Sequence, residues 1–218
     1  MPVGECTITL QDVAYLTGLP IDGIPITGVA SRDSEDWGAL CEQLLGVTPP
    51  LAGGAVRFSS LSPLYKTETL DLLDPERDTV RIEQATRAYI LRMIGGVLMP
   101  DHKGNTVHLR WLPLLQDFDL CANYSWGSAV LAYLYRQLCN ATRYDTCDIG
   151  GACILLQYWT WLRFPQLAPT LVEPDRRDQL QYIRARDQYR PLGWRLVYLY
   201  KIFYFFLLYT IASHNYLT

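Results

Sequence analysis

Lysine is scarce in this chain: Lys66, Lys103 and Lys201 are its only three in 218 residues. A pyridoxal phosphate enzyme needs a lysine for its Schiff base, set in a pocket with an acidic partner for the pyridine nitrogen. Lys66 stands in a polar segment, Lys103 in a turn cluster and Lys201 in an apolar run. None has the sequence surroundings of a phosphate cup, so a lysine-dependent transaminase is not expected. Histidine is equally sparse. His102 and His108 are six residues apart across a Gly-Asn turn, a spacing that fits no common zinc pattern, and His214 stands far from both. No metal site and no cofactor are expected. The sequence also lacks a Gly-rich phosphate loop, a dinucleotide fingerprint and a nucleophile elbow, which removes the most readily recognised enzyme classes.

Charge is low as well. Charged residues make up 19% of the chain, below the roughly 25% of average soluble domains. The formal net charge of −3 lacks the basic excess of a general nucleic-acid binder, although a local basic face can sit on an acidic protein. The six cysteines, Cys6, Cys41, Cys121, Cys139, Cys147 and Cys153, include no CxxC pair. Several have apolar neighbours, as in Gly-Ala-Cys-Ile-Leu-Leu, which suits reduced, buried thiols acting as small hydrophobes. Met-Pro-Val-Gly-Glu-Cys carries no basic flank and no apolar run, so no signal peptide is expected and a reducing compartment is.

What remains is a chain that is half apolar and patterned mostly for helices. Thr7-Ile8-Thr9-Leu10 alternates as a short strand would. Thr9 then caps a short helix through Tyr15, with Gly18 beyond its end. Pro20-Ile21-Asp22-Gly23-Ile24-Pro25-Ile26 sets Asp-Gly between apolar flanks, the signal for a small edge-like hairpin. Ser34 caps a helix over 35–45, with Trp37, Leu40, Cys41 and Leu44 on one face and Gly46 as its stop.

Asp74 and Pro75 suit the start of a long helix, along which Ile82, Ala85, Tyr89, Met93 and Val97 recur at steps of three or four. Arg92 is the only charge between Ala88 and Met99, so that half should be buried nearly all round. Pro100–Asn105 is a turn cluster, and a helix around 107–115 follows, bent or broken by Pro113. Gly127, Leu131, Leu134 and Leu138 stripe another helix, capped by Ser125 or Ser128. Leu155, Trp159 and Leu162 stripe the next, which stops before Pro165. Trp126, Leu131, Leu134, Trp159 and Leu162 should be buried where these two helices pack.

Smaller features have structural readings. Gly95-Gly96 and Gly150-Gly151 suit close packing. Asp117 and Asp119 fall on different helical faces, which favours a helix-terminal role over a carboxylate pair. Arg163 suits a helix C-terminus or stacking on a nearby indole. After Pro174 the chain turns to a charged, helix-compatible stretch. The run 197–212 is almost wholly apolar and aromatic apart from Lys201. It is shorter than the roughly 20 residues of a membrane span, so a core helix, or a peptide foreign to the native gene product, is expected rather than an anchor.

Four blocks of sequence are more specific. The first runs Thr7-Ile8-Thr9-Leu10-Gln11-Asp12-Val13-Ala14-Tyr15-Leu16-Thr17-Gly18-Leu19-Pro20-Ile21-Asp22-Gly23 and ends in Pro25-Ile26-Thr27-Gly28. The second is Trp111-Leu112-Pro113-Leu114-Leu115-Gln116-Asp117-Phe118-Asp119, and the third runs from Tyr124-Ser125-Trp126-Gly127 to Cys139. The fourth is Gly150-Gly151 followed by Leu155 to Phe164. In this order they resemble the plant mobile domain over residues 1–195, leaving 196–218 as an apolar tail.

The resemblance implies a domain of plant transposable elements and of MAIN-like host proteins, sometimes fused to a type-7 protein phosphatase. It implies a nuclear protein acting in transposon silencing, genome stability and meristem maintenance, with a serine/threonine phosphatase 7-like or another MAIN-like protein as partner. The family's legacy label, aminotransferase-like, conflicts with the lysine argument above.

The expected fold is therefore mainly α, a compact multi-helix domain with a small N-terminal β-hairpin. The expected function is a non-enzymatic interaction domain. The alternative is a transposon-encoded accessory domain that touches nucleic acid directly, and a hydrolase or transferase with an unfamiliar site comes third. Candidate partner-binding residues are Ile21, Ile24 and Ile26, which either pack on the helical body or form a docking ridge, and the basic Arg176, Arg177, Arg184 and Arg186.

Overall fold

In a computed structural model, residues 6–27, 34–66, 74, 77–146 and 148–168 are described. The arginines at 176, 177, 184 and 186, the charged stretch around them and the apolar run 197–212 lie outside the described residues, as does Pro75.

The chain begins with α1 (Leu10–Thr17), held at both ends by its own sequence. The Thr9 hydroxyl accepts from the Asp12 amide, while the Asp12 carboxylate accepts from the Thr9 amide at 2.9 Å. This reciprocal cap satisfies two amides that a helix start otherwise leaves unpaired. Gly18, at φ 69°, closes the other end in the left-handed conformation that glycine adopts without a Cβ penalty. Next comes α2 (Ser34–Leu45), which buries Trp37, Leu40, Cys41 and Leu44 and stops at Gly46.

The sheet is small and antiparallel, in the order β1 (Leu51–Ala52), β2 (Ala55–Arg57), β3 (Thr106–His108). β1 and β2 form the hairpin, turned by Gly53-Gly54, and Val56 pairs with Val107 across the second ladder. The hairpin expected at Pro20–Ile26 does not form there. That segment bends at Asp22-Gly23 without pairing to itself, and Ile24 makes an isolated parallel bridge to Tyr124. Thr7–Thr9 likewise forms no strand; it leads into α1 with Ile8 fully buried. Local alternation and an Asp-Gly pair raise the odds of a hairpin, but a strand needs a partner, and here the partner is the start of another helix.

After β2 the chain continues through α3 (Phe58–Leu61), a 3-10 turn (Ser62–Tyr65) and α4 (Thr79–Met93). A π-helical turn (Ile94–Leu98) extends α4. The second half of α4 is buried as its composition requires: Ala88, Ile90, Leu91, Met93 and Ile94 are all in the core. A Cβ at Gly95 would overlap the Val107 side chain, so glycine is what lets β3 lie against this turn.

The helix expected around 107–115 resolves into β3 followed by a 3-10 helix (Leu109–Leu115) that contains Pro113. Its tighter winding still buries Leu109, Leu112, Leu114 and Leu115. Arg87, only 8% exposed, reaches from α4 to its end. The guanidinium donates to the Leu115 and Gln116 carbonyls at 2.9 and 3.3 Å, pairs with Glu83 at 2.9 Å and lies 4.7 Å from the Phe118 ring centre. A buried cation is tolerated because it is paired with a carboxylate and makes two further bonds to carbonyls.

Three helices complete the domain: α5 (Phe118–Ala122), α6 (Trp126–Ala141) and α7 (Cys153–Arg163). Asp117 caps α5 through its carboxylate, which accepts from the Asp119 and Leu120 amides. Trp126, Leu131, Leu134 and Trp159 are buried as expected. Leu162 is not, at 59% exposure. At the end of α7 it is Arg163, paired with Asp12 of α1, and Phe164, packed against the core, that meet the rest of the domain.

Candidate interaction surface

The first block of the sequence forms one continuous surface feature. Beyond α1, residues 20–24 lie across the start of α6. The Ile24 amide donates to the Asn123 carbonyl at 2.8 Å, and the Ser125 amide donates back to the Ile24 carbonyl at 2.9 Å. The Gly127 amide donates to the Pro20 carbonyl at 2.8 Å. Ser125 and Ser128, expected to cap α6, instead aim both hydroxyls at the Ile21 carbonyl, at 2.8 and 2.7 Å.

This clasp requires glycine twice. Gly23 sits at φ 119°, where a Cβ would overlap the Asn123 carbonyl oxygen. A Cβ at Gly127 would lie 2.9 Å from a methyl of Ile21. The three isoleucines divide accordingly. Ile21 is half-buried against Gly127, Ile26 is half-buried against the core, and Ile24 is 43% exposed. Ile21 and Ile26 thus pack on the helical body, while Ile24 is the one left exposed.

α1 meets α7 through a contact invisible in either helix alone. Arg163 donates to the second oxygen of Asp12 at 2.6 Å, so one carboxylate both caps α1 and holds the end of α7. Burial pushes the Asp12 carboxyl up, but the hydrogen bonds from Arg163 and Thr9 outweigh it and hold the group down at about 2. Tyr135, on α6, ties the preceding residues in by donating to the Ile8 carbonyl, with the Thr7 hydroxyl close by. Around this anchored pair several apolar side chains face outward. Tyr15, one turn beyond Asp12 on α1, is 84% exposed, and Leu10, Leu162 and Leu167 are exposed too.

The groups that suggested chemistry occupy other places. Lys66 ends the 3-10 turn after α3 and Lys103 lies in the 101–105 turn, both exposed. His102 is exposed, while the Nδ1 of half-buried His108 accepts from the Arg110 amide at 3.2 Å. Burial first, then the Arg110 charge, pushes the His108 imidazole below its ordinary value. Burial raises the Cys41 thiol to about 11 and the Cys121 thiol to about 12. Among the described residues no group of three His, Cys, Asp or Glu side chains converges as metal ligands, and no helix is long and apolar enough to cross a membrane.

Asp12, Arg163 and Tyr15 were missed as surface residues in the sequence. Asp12 is explained locally by its capping box, which calls for no second partner, and Arg163, expected at a helix end or stacked on an indole, pairs with Asp12 instead.

The fold and this surface define a mainly helical domain that presents an anchored apolar ridge. The sequence profile of the plant mobile domain matches residues 1–197, and the chain belongs to that family. It is similar to three Arabidopsis thaliana proteins in particular. One is a serine/threonine-protein phosphatase 7 long form homolog, 42% identical over 75% of this chain and 12% of its own length. Another is the protein MAIN-LIKE 2, 36% identical over 83% of this chain and 26% of its own. The third is the protein MAINTENANCE OF MERISTEMS, 36% identical over 73% of this chain and 33% of its own. The chain thus spans at most about a third of these relatives' lengths. No solved structure matches it.

Proposed function

We propose that this domain is a non-enzymatic interaction module of the nucleus, acting with a phosphatase-7-like protein in transposon silencing, genome stability and meristem maintenance. The observation that carries the reading is the set of exposed apolar side chains on α1, α7 and the 3-10 turn after α7 (Pro165–Leu167), namely Tyr15, Leu162 and Leu167, beside the Asp12–Arg163 pair that ties α1 to α7. A domain that only needed to be soluble would place charge there. The choice of partner follows from a relative in which a matching segment forms 12% of a protein named as a phosphatase 7 homolog. A domain carried beside such an enzyme in one chain is well placed to meet it from another. The exposed positions of Lys66 and Lys103 support the non-enzymatic part, because a Schiff-base lysine needs a walled pocket.

The test is co-purification of the tagged full chain from plant nuclei, wild type against the Tyr15→Asp/Leu162→Asp double variant. Both side chains are exposed, and surface changes of this kind usually cost within about 0.5 kcal/mol, so the melting temperature should hold while the phosphatase-like partner is lost. Retention of that partner by a folded double variant would move the interface elsewhere. Imaging of a fluorescent fusion checks the nuclear assignment, and a cytoplasmic signal would refute it.

A further inference from the structure

The outer face of the sheet carries cations that the domain's own packing does not use. Val56 and Val107 are buried and paired, so alternation along the strands turns Arg57, Thr106 and His108 to the other side. Arg57 stands directly across from Thr106. The Thr106 hydroxyl donates to Asp101 at 2.7 Å, and Asp101 also takes the Gly104 amide at 2.9 Å. Asp101 is thereby engaged within its own turn, leaving Lys103 exposed at the tip.

α6 borders this face. The turn before α7 is bonded to the Pro100 carbonyl through the Gly151 amide at 2.8 Å and abuts Gln137 of α6. The exposed Arg136 immediately precedes Gln137, and Tyr133 lies one turn back along α6. The charges of Asp101, Arg110 and Arg136 all reach the Tyr133 hydroxyl, and that of Arg110 reaches His108. Lys103 belongs to the Asp101 turn, and Arg57 stands across the ladder from Thr106, which donates to Asp101, so these two border the same neighbourhood as Arg110 and Arg136. All four are exposed, and none forms an ion pair among the described residues, whereas Arg77, Arg87, Arg143 and Arg163 each do.

We propose that this face, formed by Arg57, Lys103, Arg110 and Arg136 around Tyr133, binds the phosphate backbone of a nucleic acid. Two features favour this over an acidic protein. Three of the four cations are arginines, whose planar fork matches a phosphate bidentately. In addition, the segments 101–110 and 132–137 expose no large aliphatic side chain; the nearest exposed one is Ile149, in the turn before α7. The half-buried Tyr133 ring offers a surface for a base. This face is separate from the α1–α7 ridge and its proposed partner, and it does not involve the arginines at 176–186.

Four phosphate contacts predict modest affinity with strong salt dependence. Each contributes about 0.9 to the log–log salt slope, so binding should weaken roughly a hundredfold between about 50 and 200 mM salt. The experiment measures anisotropy of labelled mixed-sequence DNA oligonucleotides, single-stranded and duplex, with the full chain. Arg110→Glu/Arg136→Glu should lose at least about tenfold in affinity, and its salt slope should drop by about 2. Lys66→Glu/Arg81→Glu makes the same change in net charge outside this face and should bind as wild type. Should the charge-reversed protein misfold, Arg110→Gln/Arg136→Gln should give the same fall in slope. Unchanged binding by the folded Arg110/Arg136 variant would overturn the proposal. So would equal loss in the Lys66/Arg81 control, or displacement of the oligonucleotide by polyglutamate at equal charge, which would assign the face to an acidic peptide.

Discussion

Gly23 offers the sharpest test of how the first sequence block works. Replacing it with alanine asks a residue with a Cβ to hold φ 119°, a region that only glycine populates freely, at a cost of about 1–3 kcal/mol. The new methyl would also overlap the Asn123 carbonyl oxygen, which is backbone and cannot swing aside. The segment must then lift from α6, weakening the Ile24–Asn123 and Ser125–Ile24 hydrogen bonds, each worth about 1 kcal/mol. The sum is about 3–5 kcal/mol, or roughly 8–15 °C in melting temperature for a domain of this size. Gly104→Ala is the internal control. Gly104 also has positive φ, at 64°, but nothing lies within 4 Å of its Cβ position, so only the conformational cost of about 1–2 kcal/mol remains. The assay is urea unfolding of wild type and both variants by circular dichroism. If Gly23→Ala cost no more than Gly104→Ala, the clasp between residues 20–24 and α6 would contribute nothing to stability, and the account of the Asp-Gly pair would fail.

Leu134 is fully buried, so Leu134→Ala should cost about 2–5 kcal/mol, while Leu162→Ala should cost less than about 0.5 kcal/mol; equal midpoints in denaturant would refute the placement of both. The Asp12 carboxyl is held at about 2, below its ordinary 3.8, so its stabilisation is complete above about pH 4 and fades as pH falls towards 2. Because Arg163 is largely exposed, this contribution is about 1 kcal/mol after allowance for solvent screening. The stability gap between wild type and Asp12→Asn should therefore shrink across that window, and a gap flat from pH 6 to pH 2 would sink the reading. Native thiol titration at neutral pH should label Cys6, Cys139 and Cys153, which are exposed, and spare Cys41 and Cys121, which are buried with raised thiols; rapid labelling of either buried thiol would show that its helix opens.

Features that depend on nearest neighbours were legible in the chain itself. The Thr9–Asp12 cap and the Gly18 stop bracket α1, Gly46 ends α2, and Asp117 caps α5, because each is settled within a few residues. The burial of the second half of α4 agrees for the same reason with a stretch from Ala88 to Met99 whose only charge is Arg92. The small sheet was misplaced because Asp22-Gly23 and Gly53-Gly54 are both acceptable turns, and only the availability of β3 decided between them. The Val107–Leu115 segment was misassigned because its apolar spacing suits a helix, while pairing with β2 claims Val107 and His108 and Pro113 favours the tighter winding of the rest.

The candidate surfaces were the least legible part. Asp12 and Arg163 are 151 residues apart, and Arg57 meets Thr106 only through strand pairing. The chain by itself determined which segments coil, where they stop and which faces are apolar, since those follow from local sterics and periodicity. Which carboxylate receives Arg163, which isoleucine faces water and which arginines share a face were decided only when distant segments packed. Those outcomes depend on three-dimensional neighbours that no spacing rule encodes.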